Sequence, residues 1–157
     1  MKRNNALRYF SLVTLLVVII LSGIVINSLG CNYEMHLSSK SADYFAVCRA
    51  GKFTVIEREL KTHATWRVTA LQIVVGHQLI FLVTDRTPIK TAAEDESAGL
   101  DDLNQLQRDV TMPLNYGWMM FGENRIAIFQ HYPHAEIVQG HIDGWLDFYQ
   151  RFIGHSR

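Results

Sequence analysis

Residues 9–26 form an apolar run without a charged side chain, and the weakly polar residues 27–30 extend it to the roughly 20 residues that cross a hydrocarbon core about 30 Å thick. Lys2, Arg3 and Arg8 precede the run, and no basic residue follows it until Lys40. Lysine and arginine are retained on the cytoplasmic side, so this asymmetry predicts a cytoplasmic tail over residues 1–8, a transmembrane anchor over 9–30 and an exported domain over 31–157. A cleaved secretory signal is an alternative. Its apolar core would run about 7–15 residues and end in a small-x-small site, for which Ser22-Gly23 and Ser28-x-Gly30 are weak candidates. Lipid attachment at Cys31 is a third reading, with Ser28 standing where an aliphatic residue is expected.

Beyond the run the hydrophobic period shortens. Residues 44–49 and 53–60 are rich in aromatic and β-branched side chains and flank Ala50-Gly51-Lys52, which reads as a hairpin turn. In the second of these strands Phe53, Val55, Glu57 and Glu59 alternate with Thr54, Ile56, Arg58 and Leu60, so neither face is cleanly apolar and an edge position is expected. Residues 66–75 and 79–84 form a second hairpin around Gly76-His77. Residues 85–102, with Pro88, Gly99 and the cluster Glu94-Asp95-Glu96, read as a solvated loop. Leu100, Leu103, Leu106 and Val110 recur at helical spacing behind Asp101-Asp102 and predict a short helix ending before Pro113.

Residues 118–121 and 125–130 bracket Gly122-Glu123-Asn124 as a further hairpin. Val138, His141, Ile142, Trp145, Leu146, Tyr149, Phe152 and Ile153 then repeat at three and four, which predicts an amphipathic terminal helix packed on the sheet. The whole is an α+β chain: one transmembrane helix, then a small, mostly antiparallel sheet or open barrel with one or two packed helices. An open barrel would leave a strand edge for a partner.

The exported part is long enough for one core and too short for two. The eight-residue tail falls below the roughly 40 residues an independent domain needs, so any cytoplasmic output is expected to pass through another protein. Cys31 and Cys48 are the chain's two cysteines. Both follow the anchor, in a compartment where disulfides persist, and their pairing is expected. Three of the 15 basic residues precede the anchor while all 15 acidic ones follow it, which leaves the exported part three charges negative; its seven histidines, protonated, would make it four positive. The group His131, His134 and His141 beside the terminal helix is therefore a candidate for a pH response between about 5 and 7.5.

A Gly-rich phosphate loop, a G-x-S-x-G elbow and an H-E-x-x-H helix are all missing, so the chain does not read as an enzyme and nothing in it points to a cofactor. His131 and His134 have H-x-x-H spacing, but Tyr132-Pro133 between them favours a turn over the helix face that presents such a pair to a metal. Trp66, Trp118, Phe121 and Phe129 are core candidates, and alternatively the lining of a site for an apolar small molecule such as a bile acid.

The basic tail, the span, the two cysteines and one exported domain of this size together resemble the small single-span accessory regulators of Gram-negative bacteria of the PsaF and MyfF type, with ToxS as a more distant analogue. The resemblance covers the layout of the whole chain. It implies an inner-membrane protein with a periplasmic C-terminal domain that binds and stabilises the periplasmic domain of a membrane-anchored winged-helix transcription activator. In that picture it supports fimbrial and other virulence genes through its partner and touches no nucleic acid itself. The competing classes are a periplasmic ligand-binding module and a structural component of a membrane assembly.

Overall fold

The computed structural model describes residues 2–90, 104, 106, 107, 113–131 and 135–153. The expected helix over 100–110 lies largely outside the described residues, as do His134 and the cluster Glu94-Asp95-Glu96. Helix α1 (Lys2–Leu29) contains the 22-residue stretch Arg8–Leu29, long and apolar enough to cross a membrane and, apart from its last turn, little covered by the rest of the protein.

Among the described residues eight strands follow: β1 (Asn32–Ser38), β2 (Ala42–Arg49), β3 (Lys52–Glu59), β4 (Thr65–Val75), β5 (Gln78–Lys90), β6 (Pro113–Met120), β7 (Arg125–Gln130) and β8 (Glu136–Trp145), before a short helix α2 (Phe148–Ile153). Each strand pairs antiparallel with the next, and β8 pairs back onto β1 from Asn32↔Trp145 to Ser38↔Gln139. The ring is closed, not the open barrel the sequence suggested. β3 lies between β2 and β4 and is not an edge strand. Its mixed face arises because two acids, Glu57 and the buried Glu59, follow Phe53 and Val55 on the inward side.

Tight turns set the registers. Ala50 and Gly51 both have positive φ, 49° and 80°, the pair that matches the twist of a two-residue hairpin loop between β2 and β3. Gly76, at φ 56°, serves the β4–β5 turn. Two expectations fail here. Residues 85–90 do not form a loop: β5 continues through them, paired with β4 from Thr69↔Asp85 to Thr65↔Lys90. Residues 138–145 are strand and not helix, because the apolar side chains Val138, Ile142 and Leu146 stand four apart, a spacing that keeps one face in a strand as well as in a helix. Only residues 148–153 at the end of that stretch are helical.

Alternation puts Tyr33, Met35 and Leu37 of β1, and their counterparts on the other strands, inside the ring. The seam between β8 and β1 depends on two glycines. A Cβ on Gly140 would lie 1.8 Å from the His36 carbonyl oxygen, and one on Gly144, at φ 114°, 2.1 Å from that of Asn32. Cys31 and Cys48 form a disulfide that ties the start of β1 to the end of β2 across 17 residues, a constraint worth about 3 kcal/mol in the chain-entropy picture.

Helix α1 is fastened to one end of the ring. Ser28 Oγ accepts from Val74 N at 2.9 Å while donating to Ile24 O at 2.8 Å, and Trp145 Nε1 donates to Gly30 O at 2.9 Å. The closed seam makes a direct prediction. Gly140→Ala forces β8 off β1 and should destabilise the domain by about 1–3 kcal/mol or more. Gly23→Ala, where a Cβ meets nothing within 4 Å, should leave the urea midpoint of the barrel unchanged.

Candidate functional site

The two ends of the barrel interior differ in chemistry. At the end that receives α1, the Tyr33 hydroxyl donates to Gln72 Oε1 and Gln72 Nε2 donates to Leu146 O at 3.0 Å. With the disulfide and the fully buried Leu146, these groups form a satisfied plug. Above the plug the bore is apolar, walled by Phe53, Val55, Val68, Phe81 and Ile128. It encloses a cavity of about 60 Å³ open to the centres of water molecules. One water needs roughly 10–15 Å³ by this measure, so the space holds several, or a slim chain in their place.

The far part of the cavity is lined by Glu57, Tyr44, Tyr116 and Gln130. Beside them stands Arg86, which a β-bulge brings inside. Along β5 the inward positions are Leu79, Phe81 and Val83, but the register slips between Thr69↔Asp85 and Ala70↔Val83, so Thr84 and Asp85 both stay exposed and Arg86 turns in. Arg86 is 7% exposed. Its Nη1 donates to Asn104 Oδ1 and its Nη2 to Gln107 Oε1 at 3.0 Å, while Asn104 Nδ2 donates to Glu57 Oε2 at 2.9 Å. Asn104 thus bridges a buried guanidinium and a half-buried carboxyl.

Burial pushes the Glu57 carboxyl above the usual range of a glutamate, and the Asn104 hydrogen bond and the Arg86 charge offset part of that shift. Burial also raises Tyr44, helped by the Glu57 charge and opposed by a hydrogen bond from the Gln130 side chain. Tyr116 is pushed up to about 12 by the same burial and the same carboxyl, against Gln130 and Arg86. Both phenols therefore stay neutral donors at ordinary pH. Arg86 Nε and Gln130 Oε1 are buried with no hydrogen-bond partner among the described residues. The site is an apolar bore with one polar wall that offers a carboxyl, a guanidinium, two phenols and spare amide and guanidinium valences.

The residues singled out from the sequence lie elsewhere. Trp66 is buried inside the ring but does not line the cavity, and Trp118 packs half-buried 5.6 Å from the His77 ring. Phe121 lies beyond β6 under the Arg125 guanidinium at 5.0 Å, and Phe129 points outward, 41% exposed. None of the four lines the cavity, whose walls combine Phe53, Phe81, Tyr44 and Tyr116 with small residues such as Ala46 and Ala70 that leave room.

His131 and His141 are not brought together. His131 follows the end of β7, whereas His141 stands opposite Arg125 at the start of that strand, on the outer face of β8, with Nε2 3.1 Å from Asp143 Oδ1. The terminal helix that would have gathered them does not form there, and His134 lies outside the described residues. Among the described residues no three His, Cys, Asp or Glu side chains gather as a metal site.

Glu57 was legible in principle, as an acid on the face that carries Phe53 and Val55. Arg86 was not, since simple alternation puts Asp85 inside. No protein-family model, curated protein or solved structure matches the chain.

Because its folded-state pKa is raised, Glu57 contributes stability that is fully present below the ordinary glutamate value of 4.5 and lost as pH rises through the folded value. Glu57→Gln keeps an acceptor for Asn104 and removes the titration. The stability of wild type relative to this variant should fall as pH rises from 4 to 8 in urea titrations, and parallel profiles would contradict a buried, titrating Glu57.

Proposed function

We propose that the chain is a membrane-anchored binding module whose barrel takes up a slender, mostly apolar small molecule with one polar end. The observation that carries this reading is the cavity: an apolar bore inside a closed ring, ending at Glu57, Tyr44, Tyr116 and Gln130. Such a mixture, apolar walls with a few convergent polar groups, is the usual make-up of a small-molecule site. A linear chain suits the narrow bore better than a fused ring system such as a bile acid. The polar end would meet the unpaired valences of Arg86 and Gln130. Cis-parinaric acid, a linear polyene acid, should bind the full-length protein and accept energy from its tryptophans. Ala70→Phe, which fills the bore from β4, should weaken that signal at least tenfold; an unchanged titration would reject the cavity as the site.

The accessory-regulator reading has its own support on the outer surface. Leu71, Ile73 and Val75 of β4 face outward beside Ile80 and Leu82 of β5, in the cross-strand pairs Leu71↔Leu82 and Ile73↔Ile80. An outward apolar stripe of this kind marks an interaction surface. In this reading α1 is a retained anchor, the barrel is periplasmic, and the stripe meets the periplasmic domain of a membrane-anchored winged-helix activator that controls fimbrial and virulence genes. Leu71→Glu, at a position 51% exposed, should leave the barrel folded and abolish co-purification of the activator. Undiminished recovery would move the contact elsewhere.

A further inference from the structure

The end of α1 and the segment after β8 are locked to one another. Asn27 Nδ2 donates to Asp147 Oδ2 at 2.9 Å, and Tyr149 N donates to Asn27 Oδ1 at 2.9 Å. At Gly30 a Cβ would lie 2.5 Å from the Phe148 ring, so this glycine lets α2 close on the helix end. Asp147 Oδ1 accepts from Gln150 N at 2.7 Å and Gln150 Oε1 from Leu146 N at 2.6 Å, which fixes the start of α2. These contacts hold α2 at the height at which the apolar part of α1 ends.

The stretch Arg8–Leu29 has 22 residues. At about 1.5 Å per residue it measures about 33 Å, close to the thickness of a hydrocarbon core. With α1 across a bilayer, Asn27 therefore stands at the boundary between acyl chains and headgroups, and so does the backbone of Tyr149 bonded to it. At that level Tyr149 and Phe152 are 65% and 72% exposed, the most exposed large aromatic side chains beyond α1 among the described residues. The Arg151 guanidinium lies 5.1 Å over the Trp145 ring and 5.5 Å over that of Phe152. Exposed aromatics beside an arginine are costly in water and well matched to the membrane interface, where tyrosine and tryptophan collect and arginine reaches outward to phosphate.

We propose that α2 is a second membrane contact: Tyr149 and Phe152 seat in the interface of the bilayer that α1 crosses, with Arg151 at the lipid phosphates. The occupant of this surface is lipid, because the patch is continuous with the span and fastened to its last turn. One span alone would let the barrel swivel. The span together with α2 fixes which outer face of the barrel is turned to a neighbour in the membrane. This inference rests on α1 being a retained span and is independent of the cavity and of the apolar stripe.

The test uses full-length protein carrying Phe152→Trp, a change at an exposed site, in phosphatidylcholine nanodiscs. The emission added by the new tryptophan should fall at least twofold with lipids brominated at acyl carbons 6 and 7, fall less with bromines at carbons 11 and 12, and resist aqueous iodide. Quenching by iodide and not by brominated lipid would overturn the seat, and quenching by neither, the mark of a protein contact, would overturn it too. Alkaline carbonate extraction of native membranes tests the premise separately. Retention supports the span, and release into the supernatant would overturn span and seat together.

Discussion

The structure depends on β8 coming close enough to β1 to close the ring. Seven residues on each strand pair across that seam, and at Gly140 and Gly144 the backbones approach so closely that the space for a Cβ is taken by the neighbouring strand. Closure is what separates an inside from an outside. Without it Tyr33, Met35 and Leu37 on β1 and Val138 and Ile142 on β8 would border water, and the disulfide and the Tyr33–Gln72 bond would close off an open half-sheet. Within β1–β5 and within β6–β8 antiparallel neighbours follow one another by short connections and pair in local steps, whereas the β1–β8 pairing, with the Trp145–Gly30 and Asn27–Asp147 contacts beside it, must be made across the whole domain.

With the ring closed, polar groups inside it must be satisfied by each other. At the end nearest α1 they are: Tyr33, Gln72 and the Leu146 carbonyl form a complete chain. At the opposite end Asn104 joins Glu57 to Arg86, while the guanidinium Nε and the Gln130 carbonyl oxygen have no partner among the described residues. Buried unpaired valences cost about 1–3 kcal/mol each; Trp118 Nε1 is one such atom away from the cavity lining, and those of Arg86 and Gln130 stand where a ligand's polar end would lie. The bulge after Val83 creates this situation, because it exchanges an inward Asp85 for an inward Arg86 and gives Glu57 a cation in place of a second acid.

What the sequence made legible were the features with local causes. The charge-free run at residues 9–26 marked α1, and Ala50-Gly51, Gly76 and Gly122 marked turns. Strand β1 went unread although Tyr33, Met35 and Leu37 alternate, since Glu34 and His36 between them dilute its apolar signal to three residues. The period of β8 was ambiguous: Val138, Ile142 and Leu146 fit both helix and strand, and Gly140 at the inward position between the first two removed the side chain that would have decided it. The cavity was illegible for a physical reason. Large aromatics such as Trp66 fill space, whereas an empty bore arises where Ala46, Ala70 and Val55 leave it unfilled, and that becomes visible only once the strands are in register. The bulge that aims Arg86 inward likewise belongs to the pairing of β4 with β5 and has no signature in β5 alone.

A closed ring also changes how a partner can be engaged. Strand addition needs a free edge, and the seam removes the one an open barrel would have offered. Among the described residues the stretch 83–90 of β5 pairs with β4 alone, and elsewhere contact is made through outward side chains, which on β4 and β5 alternate with the cavity lining residue by residue. Val68, Ala70, Phe81 and Val83 face the bore, while Leu71, Ile73, Ile80 and Leu82 face out from the same two strands. The wall is a single backbone thick. A ligand that pushes Ala70 or Phe81 outward must shift the backbone that also carries Leu71 and Leu82, since close-packed side chains transmit strain where they cannot absorb it. In a fold with this geometry, the ligand proposed for the bore and the partner proposed for the outer stripe would meet the two sides of the same two strands, so the backbone of β4 and β5 is the path by which one would be felt by the other.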